Sequence, residues 1–371
     1  MRTILSHLWT AVTGIFAAGF LFGYLARYGY PAQFWWIELL AVVLPFFVVG
    51  LGLLFVSNLF LRRRGLAALC GVLLLIGVAR VVPWSRLTHQ AAPSDSDLTL
   101  MSFNVPRWWG YLMETKTQEM ASFMERVEPD VAALQEATLA YVEDDPRTLA
   151  PPYVRILIDS LGYRPAGTDF VDGKFNTSQP VIGRVDFLGK DQKTLVHSDD
   201  RGVGGTHVVR ARFRWDGREA VLYNLHLRTY GRDKPWHEQE PEPYSPSFWF
   251  RYLAQYRDAY RIRNWEVDQL LELVEAEEVP VIIAGDLNST SNNWVYRRLA
   301  EGRQDAFRVA GRGWGATYHT RLPVVRIDFV LVGPEWEVVD AYVPHVWLSD
   351  HLPVVTRIRW SENGSLSVDG R

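Results

Sequence analysis

The pattern of apolar and polar positions changes character near Trp84. Before it, apolar residues run on with almost no interruption: no Asp, Glu, Lys or Arg stands between Arg2 and Arg27, or between Glu38 and Arg62. Each run exceeds the roughly 20 residues a helix needs to cross a bilayer. A third stretch, "GLAALCGVLLLIGV", is followed by Arg80 and Trp84. It spans if the arginine stem snorkels and the indole sits at the interface. A cleaved leader accounts for one such run and not for three in succession. Three membrane helices are therefore expected over residues 1–86.

Beyond a small, polar, Pro-containing linker at 87–97, the periodicity becomes that of a mixed α/β domain over 98–362, with a short tail at 363–371. "LTLMSFNV" and "DVAALQEA" read as strands on either side of an amphipathic helix, "KTQEMASFMERVEP", that ends near Pro129. "GGTHVVRARFRW" and "REAVLYNLHLRT" alternate with period two on either side of Asp216-Gly217, a strong hairpin signal. A helix through Trp265, Leu270, Leu271 and Val274 leads into the strand "VPVIIAGD", and "VRIDFVLV" and "HLPVVTRIRW" supply two late strands. Strands interleaved with helices over this length predict two sheets packed between helical layers. The aromatic-rich segment from Trp236 to Tyr260 reads as a loop followed by a helix, with a substrate lid or membrane-touching flap as the alternative.

Charge separates the same two regions. The chain of 371 residues carries a net −3, and its first 86 residues hold seven Arg and one Glu, a balance of +6 that leaves −9 for the rest. An acidic domain is a poor general binder of nucleic acid, which requires Lys and Arg against phosphates. One stretch opposes this: seven Arg against Glu301 and Asp305 lie between Arg297 and Arg326, either a solvated face or an attraction for an anion. Cys70 is the sole cysteine and falls in the third apolar run, so the remainder has neither disulfide nor thiol nucleophile. Arg2 and the Arg62–Arg64 cluster oppose Arg27, Arg80 and Arg86, and with three spans the positive-inside rule sets the domain after Trp84 outside the cytoplasm, whereas with two spans it faces the cytoplasm.

Candidate chemistry lies at strand ends. Asn104, Glu136, His226, Asp286 with Asn288, Asp328, and Asp350-His351 are all side chains that an apolar strand normally excludes, because an unpaired buried polar group costs about 1–3 kcal/mol. Six such occurrences point to one shared site. An oxygen-rich set without cysteine suits a hard cation such as Mg²⁺, with Mn²⁺ or Ca²⁺ as the other ions it accommodates, and such ions serve phosphate-ester hydrolysis. His351 then has the makings of a general base, with Asp328 accepting its second N–H. Ser289, Thr290 and Ser291 read as a turn that caps a helix near Trp294.

The ordered set "FNV", "LQEA", "NLHL", "GDLNS", "RIDFVLV" and "SDHLPV" resembles the endonuclease/exonuclease/phosphatase superfamily over about residues 97–360. The resemblance implies a four-layer α/β sandwich, here preceded by the transmembrane region, and metal-dependent hydrolysis of a phosphodiester or phosphomonoester by water. It assigns Glu136, Asn104 and Asp350 to the metal site. Asp286 becomes the acid that orients the attacking water, Asn288 a phosphate- or metal-holding amide, His226 a phosphate contact, and Asp328 with His351 a catalytic pair. Arg184 in "VIGRVDF" stands where many members carry a substrate-contacting Arg, whereas Asn176 reads as a turn residue. The expected activity is that of a membrane-anchored phosphoesterase acting on a lipid-linked phosphodiester. An extracytoplasmic nuclease acting on DNA or RNA is the alternative. The expected partners are the lipid bilayer of a plasma or inner membrane and the phosphate ester itself, with no protein partner implied.

Overall fold

The computed structural model describes residues 2–82, 84, 89, 91–105, 113–137, 139–142, 145–149, 152–166, 174–195, 206–230 and 245–362. The tail at 363–371 and parts of the linker and of the aromatic segment lie outside the described residues. The chain forms two compact units, one of Met1–Trp84, Tyr230–Asn264 and Ser289–Arg298, the other of Ser85–Thr229, Trp265–Asn288 and Leu299–Arg371.

In the first unit, the apolar runs fold as α1 (Arg2–Leu25), α2 (Pro31–Val42), α3 (Leu44–Phe60) and α4 (Arg64–Val81). The helices at Thr3–Tyr28 and Arg64–Val81 are long and apolar enough to cross a membrane. The run from Glu38 to Arg62, expected as one straight span, is instead two helices bent by 63°, so a third span exists only if that pair is counted as one. The break has a local cause. Pro45 sits in the first turn of α3, where it has no N–H to donate and where its ring would collide with a preceding helical turn. Glycines let the helices approach closely: a Cβ on Gly23 would lie 2.8 Å from the Leu40 carbonyl oxygen, and one on Gly77 would lie 2.6 Å from Val48. Phe20, Leu44, Leu51, Cys70 and Leu73 form the packed centre.

The second unit is built on two six-stranded mixed sheets. Its strands, in chain order, are β1 (Leu98–Asn104), β2 (Val131–Gln135), β3 (Leu139–Val142), β4 (Asp145–Leu149), β5 (Arg164–Pro165), β6 (Lys174–Thr177), β7 (Val181–Gly183), β8 (Asp186–Leu195), β9 (Thr206–Trp215), β10 (Arg218–His226), β11 (Val281–Asp286), β12 (Gln304–Asp305), β13 (Asp328–Val332), β14 (Trp336–Tyr342) and β15 (Val354–Trp360). One sheet has the order β14-β15-β1-β2-β7-β5 and the other β12-β13-β11-β10-β9-β8, while β4-β3-β6 form a small third sheet. The β9–β10 turn uses Asp216 and Gly217 at φ 47° and 74°, as the Asp-Gly signal predicts. Asn176 lies in β6 and not in a turn.

Alternation assigns the faces. Leu98 and Leu100 of β1, Val131 and Ala133 of β2, Ala220 and Leu222 of β10, Ile282 and Ala284 of β11, and Val330 and Val332 of β13 share one core between the sheets. The opposite face of the first sheet, Met101, Phe103 and Leu134, packs on Met120, Phe123 and Met124 of α5 (Met113–Val127) and Leu157 of α6 (Pro152–Asp159). Past Trp265, α7 (Pro246–Glu275) ties to the second sheet: Glu266 accepts from Thr206 Oγ1 and from the Arg228 amide at 2.9 Å. Four layers result, as the interleaved pattern implied. Two short helices, α8 (Trp294–Ala300) and α9 (Ala306–Ala310), follow β11.

The turn after β11 departs from expectation in one detail. The side chain that organises it is Asn293, whose Oδ1 accepts from the Thr290 amide at 2.8 Å and from the Thr290 hydroxyl at 2.6 Å.

Candidate active site

The same alternation that fills the core delivers the site. Followed along β1, the residues facing the other sheet run Leu98, Leu100, Ser102, Asn104; along β10 they run Ala220, Leu222, Asn224, His226; along β11, Ile282, Ala284, Asp286. Each row starts apolar and ends polar: β1 passes through the Ser102 hydroxyl to the Asn104 amide, β10 through the Asn224 amide to His226, and β11 goes straight from Ala284 to Asp286. β1 and β2 are parallel with Asn104 opposite Gln135, β10 and β11 are parallel with His226 opposite Asp286, and β13 enters antiparallel with Asp328 opposite Asp286. All the polar ends therefore gather at one edge of the sandwich. The intermediate polar layer is hydrogen-bonded: Gln135 Nε2 donates to Asn224 Oδ1 at 2.7 Å and Asn224 Nδ2 to the Leu134 carbonyl at 2.9 Å. Such pairing offsets the desolvation that would otherwise make these amides destabilising.

Asp286 is the centre. It is 1% exposed, and its Oδ2 accepts from Asn104 Nδ2 at 3.1 Å, a bond from one sheet to the other. Its Oδ1 accepts from the Asn288 amide at 2.7 Å, the local turn that Asx residues favour. His226 Nε2 stands 3.7 Å from both Glu136 Oε1 and Asp286 Oδ2. His351 Nε2 lies 3.8 Å from Asp286 Oδ2, while its Nδ1 meets Asp328 Oδ2 at 2.9 Å. The Asn288 side chain donates to the Leu227 carbonyl at 2.9 Å. Asp350 is half-exposed beside these groups, its Oδ1 accepting from Ser349 Oγ at 3.3 Å.

Backbone strain collects here. Glu136 and Asn288 take φ of 55° and 47°, left-handed values that non-glycine residues adopt at a cost repaid by surrounding structure and that cluster at functional sites. Gly285 has φ 141°, and a Cβ there would sit 2.0 Å from the Leu225 carbonyl oxygen of β10. Only glycine fits between these strands.

Electrostatics follow from burial and proximity. Desolvation raises Asp286 above the ordinary carboxylate range, and the Asp328 charge adds to it against opposing pulls from His351 and His226. For His351, burial disfavours the imidazolium, but the carboxylates of Asp328 and Asp286 outweigh it and raise it from 6.5 to about 10.

The residues fit a hard cation. Asn104 Oδ1 is buried with no hydrogen-bond donor, and an orphaned amide oxygen beside a buried carboxylate is what an oxygen-seeking ion satisfies. Asp286, Asp328 and His351 also offer ligand atoms within 4.8 Å of one another. Since His351 Nδ1 and Asp328 already engage each other and both Asp286 oxygens accept hydrogen bonds, the oxygens left for a cation are those of Asn104, Glu136 and the half-exposed Asp350.

Arg184 does not join this group. Gly183 pairs with Val131 at the start of β2, so Arg184 lies about 16 Å along the strand from Glu136 at its other end. Its guanidinium covers the Tyr163 ring and donates to the Leu161 carbonyl at 3.0 Å. Nor does the arginine run after Arg297 form one basic face: Arg326 forks onto buried Asp305 at 2.8 and 2.6 Å, Arg312 pairs with Asp340 at 2.6 Å, and Arg303 bonds the Leu299 carbonyl at 3.1 Å.

Three supporting residues carry no signal at strand ends. Ser349 donates to the Asn104 carbonyl at 2.7 Å and accepts from the His351 amide at 3.1 Å. Thr317 Oγ1 accepts from the Asp328 amide at 3.2 Å. The Tyr318 ring lies 4.9 Å from the His351 imidazole. "SDH" and "GATYH" held these positions in plain view, but a serine or threonine in a loop is too common to single out.

The sequence model of the Endonuclease/Exonuclease/phosphatase family matches residues 101–351, and that of a domain of unknown function (DUF8431) matches residues 6–84. Among solved structures, an endonuclease/exonuclease/phosphatase family protein from Leptotrichia buccalis is similar at 17% identity and a TM-score of 0.50, covering 71% of this chain and 100% of that one. A functionally unknown conserved protein from Enterococcus faecalis is similar at 14% identity and a TM-score of 0.52, with the same coverages of 71% and 100%. A family protein from Bacteroides thetaiotaomicron reaches 16% identity and a TM-score of 0.51 over 74% of this chain and 100% of its own. At such identities the likeness concerns the fold alone. No curated protein matches the chain. With the family's sequence model spanning the strands that converge on Asp286, the chain belongs to the endonuclease/exonuclease/phosphatase family, whose members are hydrolases acting on phosphoesters.

Proposed function

We propose that this protein is a membrane-anchored, divalent-metal-dependent hydrolase of a phosphodiester, with a lipid-linked ester as its substrate. The observation that carries the reading is the buried, donor-less Asn104 Oδ1 beside Asp286, at the edge where Glu136, His226, Asp328 and His351 converge. In this reading residues 1–86 anchor, 87–97 link and 98–362 catalyse. The site residues are Asn104, Glu136 and Asp350 toward the cation, and His226, Asp286, Asn288, Asp328 and His351 toward the reaction.

When bound, Mg²⁺ (or Mn²⁺ or Ca²⁺) neutralises phosphate charge and polarises the ester. The chain's own groups do the rest. Asp286, its proton affinity raised by burial, is matched to accept a proton from the attacking water. Asp328 fixes the His351 ring so that Nε2 lies on the Asp286 side, where a protonated imidazole donates to a phosphate oxygen. His226, between Glu136 and Asp286, is a second donor to phosphate, and the Asn288 amide a third. The apolar helices and the acidic balance of the rest of the chain favour a lipid-linked substrate over nucleic acid, and the paired arginines after Arg297 weigh the same way.

The test is hydrolysis by the full chain in detergent or nanodiscs with Mg²⁺, offered phospholipid vesicles, a generic phosphodiester and plasmid DNA. Vesicle-dependent turnover abolished in Asp286→Asn and His351→Ala is the expected result. Full activity in both variants overturns the site, and preferential nicking of the plasmid transfers the reading to a nuclease. A periplasmic-type reporter fused after Trp84 reads the side: activity is expected for an extracytoplasmic domain.

A further inference from the structure

Glu38 is the only acidic residue in the first 86, it sits in the apolar helix α2, and it is fully buried. An anchor has no use for it. Apolar helices satisfy a bilayer by themselves, and a buried carboxyl is costly unless hydrogen-bonded. Its partners lie in the segment Ser289–Arg298, which belongs to the same compact unit. Glu38 Oε2 accepts from Asn293 Nδ2 at 2.5 Å, its backbone carbonyl accepts from the same Nδ2 at 3.1 Å, and the Trp294 amide reaches its carboxyl at 3.3 Å. Arg80, on α4, donates to Asn292 Oδ1 and to the Asn292 carbonyl at 3.3 Å each, and to the Tyr24 carbonyl at 2.7 Å. Arg263, sandwiched with its guanidinium 4.6 Å from the Tyr230 ring and 4.3 Å from that of Tyr260, donates to Ser289 Oγ at 2.8 Å. Tyr30 meets the Trp294 ring edge-on at 5.3 Å. Three ionisable side chains and the Tyr30 ring thus hold four of the six residues Ser289–Trp294, the first of which is joined by a peptide bond to Asn288.

We propose that Glu38, backed by Arg80 and Arg263, is a positioning residue for hydrolysis. By holding Ser289–Trp294 it sets, through the chain, where Asn288 and Asp286 stand, so that the helices matching the domain of unknown function are part of the working enzyme as well as its anchor. This rests on the roles proposed above for Asp286 and Asn288.

The pair Glu38–Asn293 permits a reversal. Glu38→Gln leaves one acceptor oxygen where Glu38 offers two, so that its Nε2 faces either the Asn293 NH₂ or the Trp294 N–H donor to donor, and Asn293→Asp sets a carboxylate against the Glu38 carboxyl. The double variant restores a complementary pair with donor and acceptor exchanged, and the carboxylate introduced by Asn293→Asp still accepts from Thr290. The experiment uses the full chain in nanodiscs, a soluble phosphodiester with Mg²⁺, and a parallel Mn²⁺ titration followed by electron paramagnetic resonance. Each single variant is expected to lower kcat about tenfold with KM within about twofold, to weaken Mn²⁺ by a similar factor, and to be rescued in the double variant to within about threefold of the parent. A merely structural contact would lower the yield or the melting temperature and leave kcat per folded site unchanged. Unchanged kcat and Mn²⁺ affinity in both single variants, or a double variant no better than either, overturns the positioning role. If the parent hydrolyses no phosphate ester, it is the functional reading that fails, and the Mn²⁺ series alone then decides the positioning.

Discussion

The two units invert each other. In the sandwich, Leu222, Ile282, Val330 and their neighbours are buried, and polar groups that enter the interior away from the site are bonded, as Gln135 is to Asn224 and Arg326 to Asp305. In the helical unit many large apolar side chains outside the packed centre face outward, with Ile4 71%, Phe60 84% and Leu75 72% exposed, while Thr13, Glu38, Asn58 and Arg80 are buried. The inside polar contacts are specific: Trp9 Nε1 donates to Asn58 Oδ1 at 3.0 Å, and Arg63 to Ser6 Oγ at 2.7 Å. In water the first arrangement gains about 25 cal/mol for each Å² of apolar surface removed. The second would gain nothing by exposing apolar surface to water, but it suits a lipid medium, where helices associate through small residues and hydrogen bonds.

Substitutions in the two units are expected to differ in size and in kind. The largest expected effect falls at the candidate site: on the roles proposed for them, Asp286→Asn or His351→Ala lowers kcat for phosphodiester hydrolysis by at least about 10³-fold, and His351→Ala also lowers the melting temperature, because it leaves the Asp328 carboxylate buried without its imidazole partner. Next comes the sandwich core, where Leu222→Ala costs about 2–5 kcal/mol in chemical denaturation. The same truncation at outward-facing Ile4 costs less than about 0.5 kcal/mol in detergent, and equal losses at the two positions would dissolve the distinction. Ile15, 73% exposed on α1, tests the lipid side directly. Ile15→Lys disfavours insertion by about 3 kcal/mol, read as loss of membrane-fraction protein in an insertion reporter, with the catalytic site untouched. The smallest effect belongs to the surface: Arg212→Ala, which removes an ion pair to Glu219 on the β9–β10 hairpin, leaves the denaturation midpoint almost unchanged, and what change there is shrinks with added salt.

Much of this was legible along the chain. Strand alternation is local, so "LTLMSFN" and "VIIAGD" declare both their faces and their polar ends without reference to anything distant. The candidate site could be proposed from the chain for the same reason: an Asn, Asp or His at the end of an apolar strand stands out against its neighbours. β14 was missed although its burial alternates, because "WEVVDAY" mixes acids among its apolar residues and lacks a turn signal of the Asp-Gly kind. Arg184 was misread because a dipeptide after a strand does not reveal which end of the sheet it occupies, and the antiparallel pairing of β2 with β7 assigns it to the far one.

What the sequence determined by itself, then, is whatever depends on near neighbours and on solvent: the apolar runs of the helical unit, the strands and hairpin of the sandwich, and the identity of the polar residues that end them. The tertiary structure alone decided which of those residues meet. Asn104 reaches Asp286 across 182 positions of chain, Ser349 reaches Asn104 across 245, and Asn293 reaches Glu38 across 255. Contacts at such separations leave no periodicity in the intervening residues. They exist because parallel pairing brings four strand ends to one edge of two stacked sheets, and because a buried carboxyl in an apolar helix must find a donor wherever the fold supplies one.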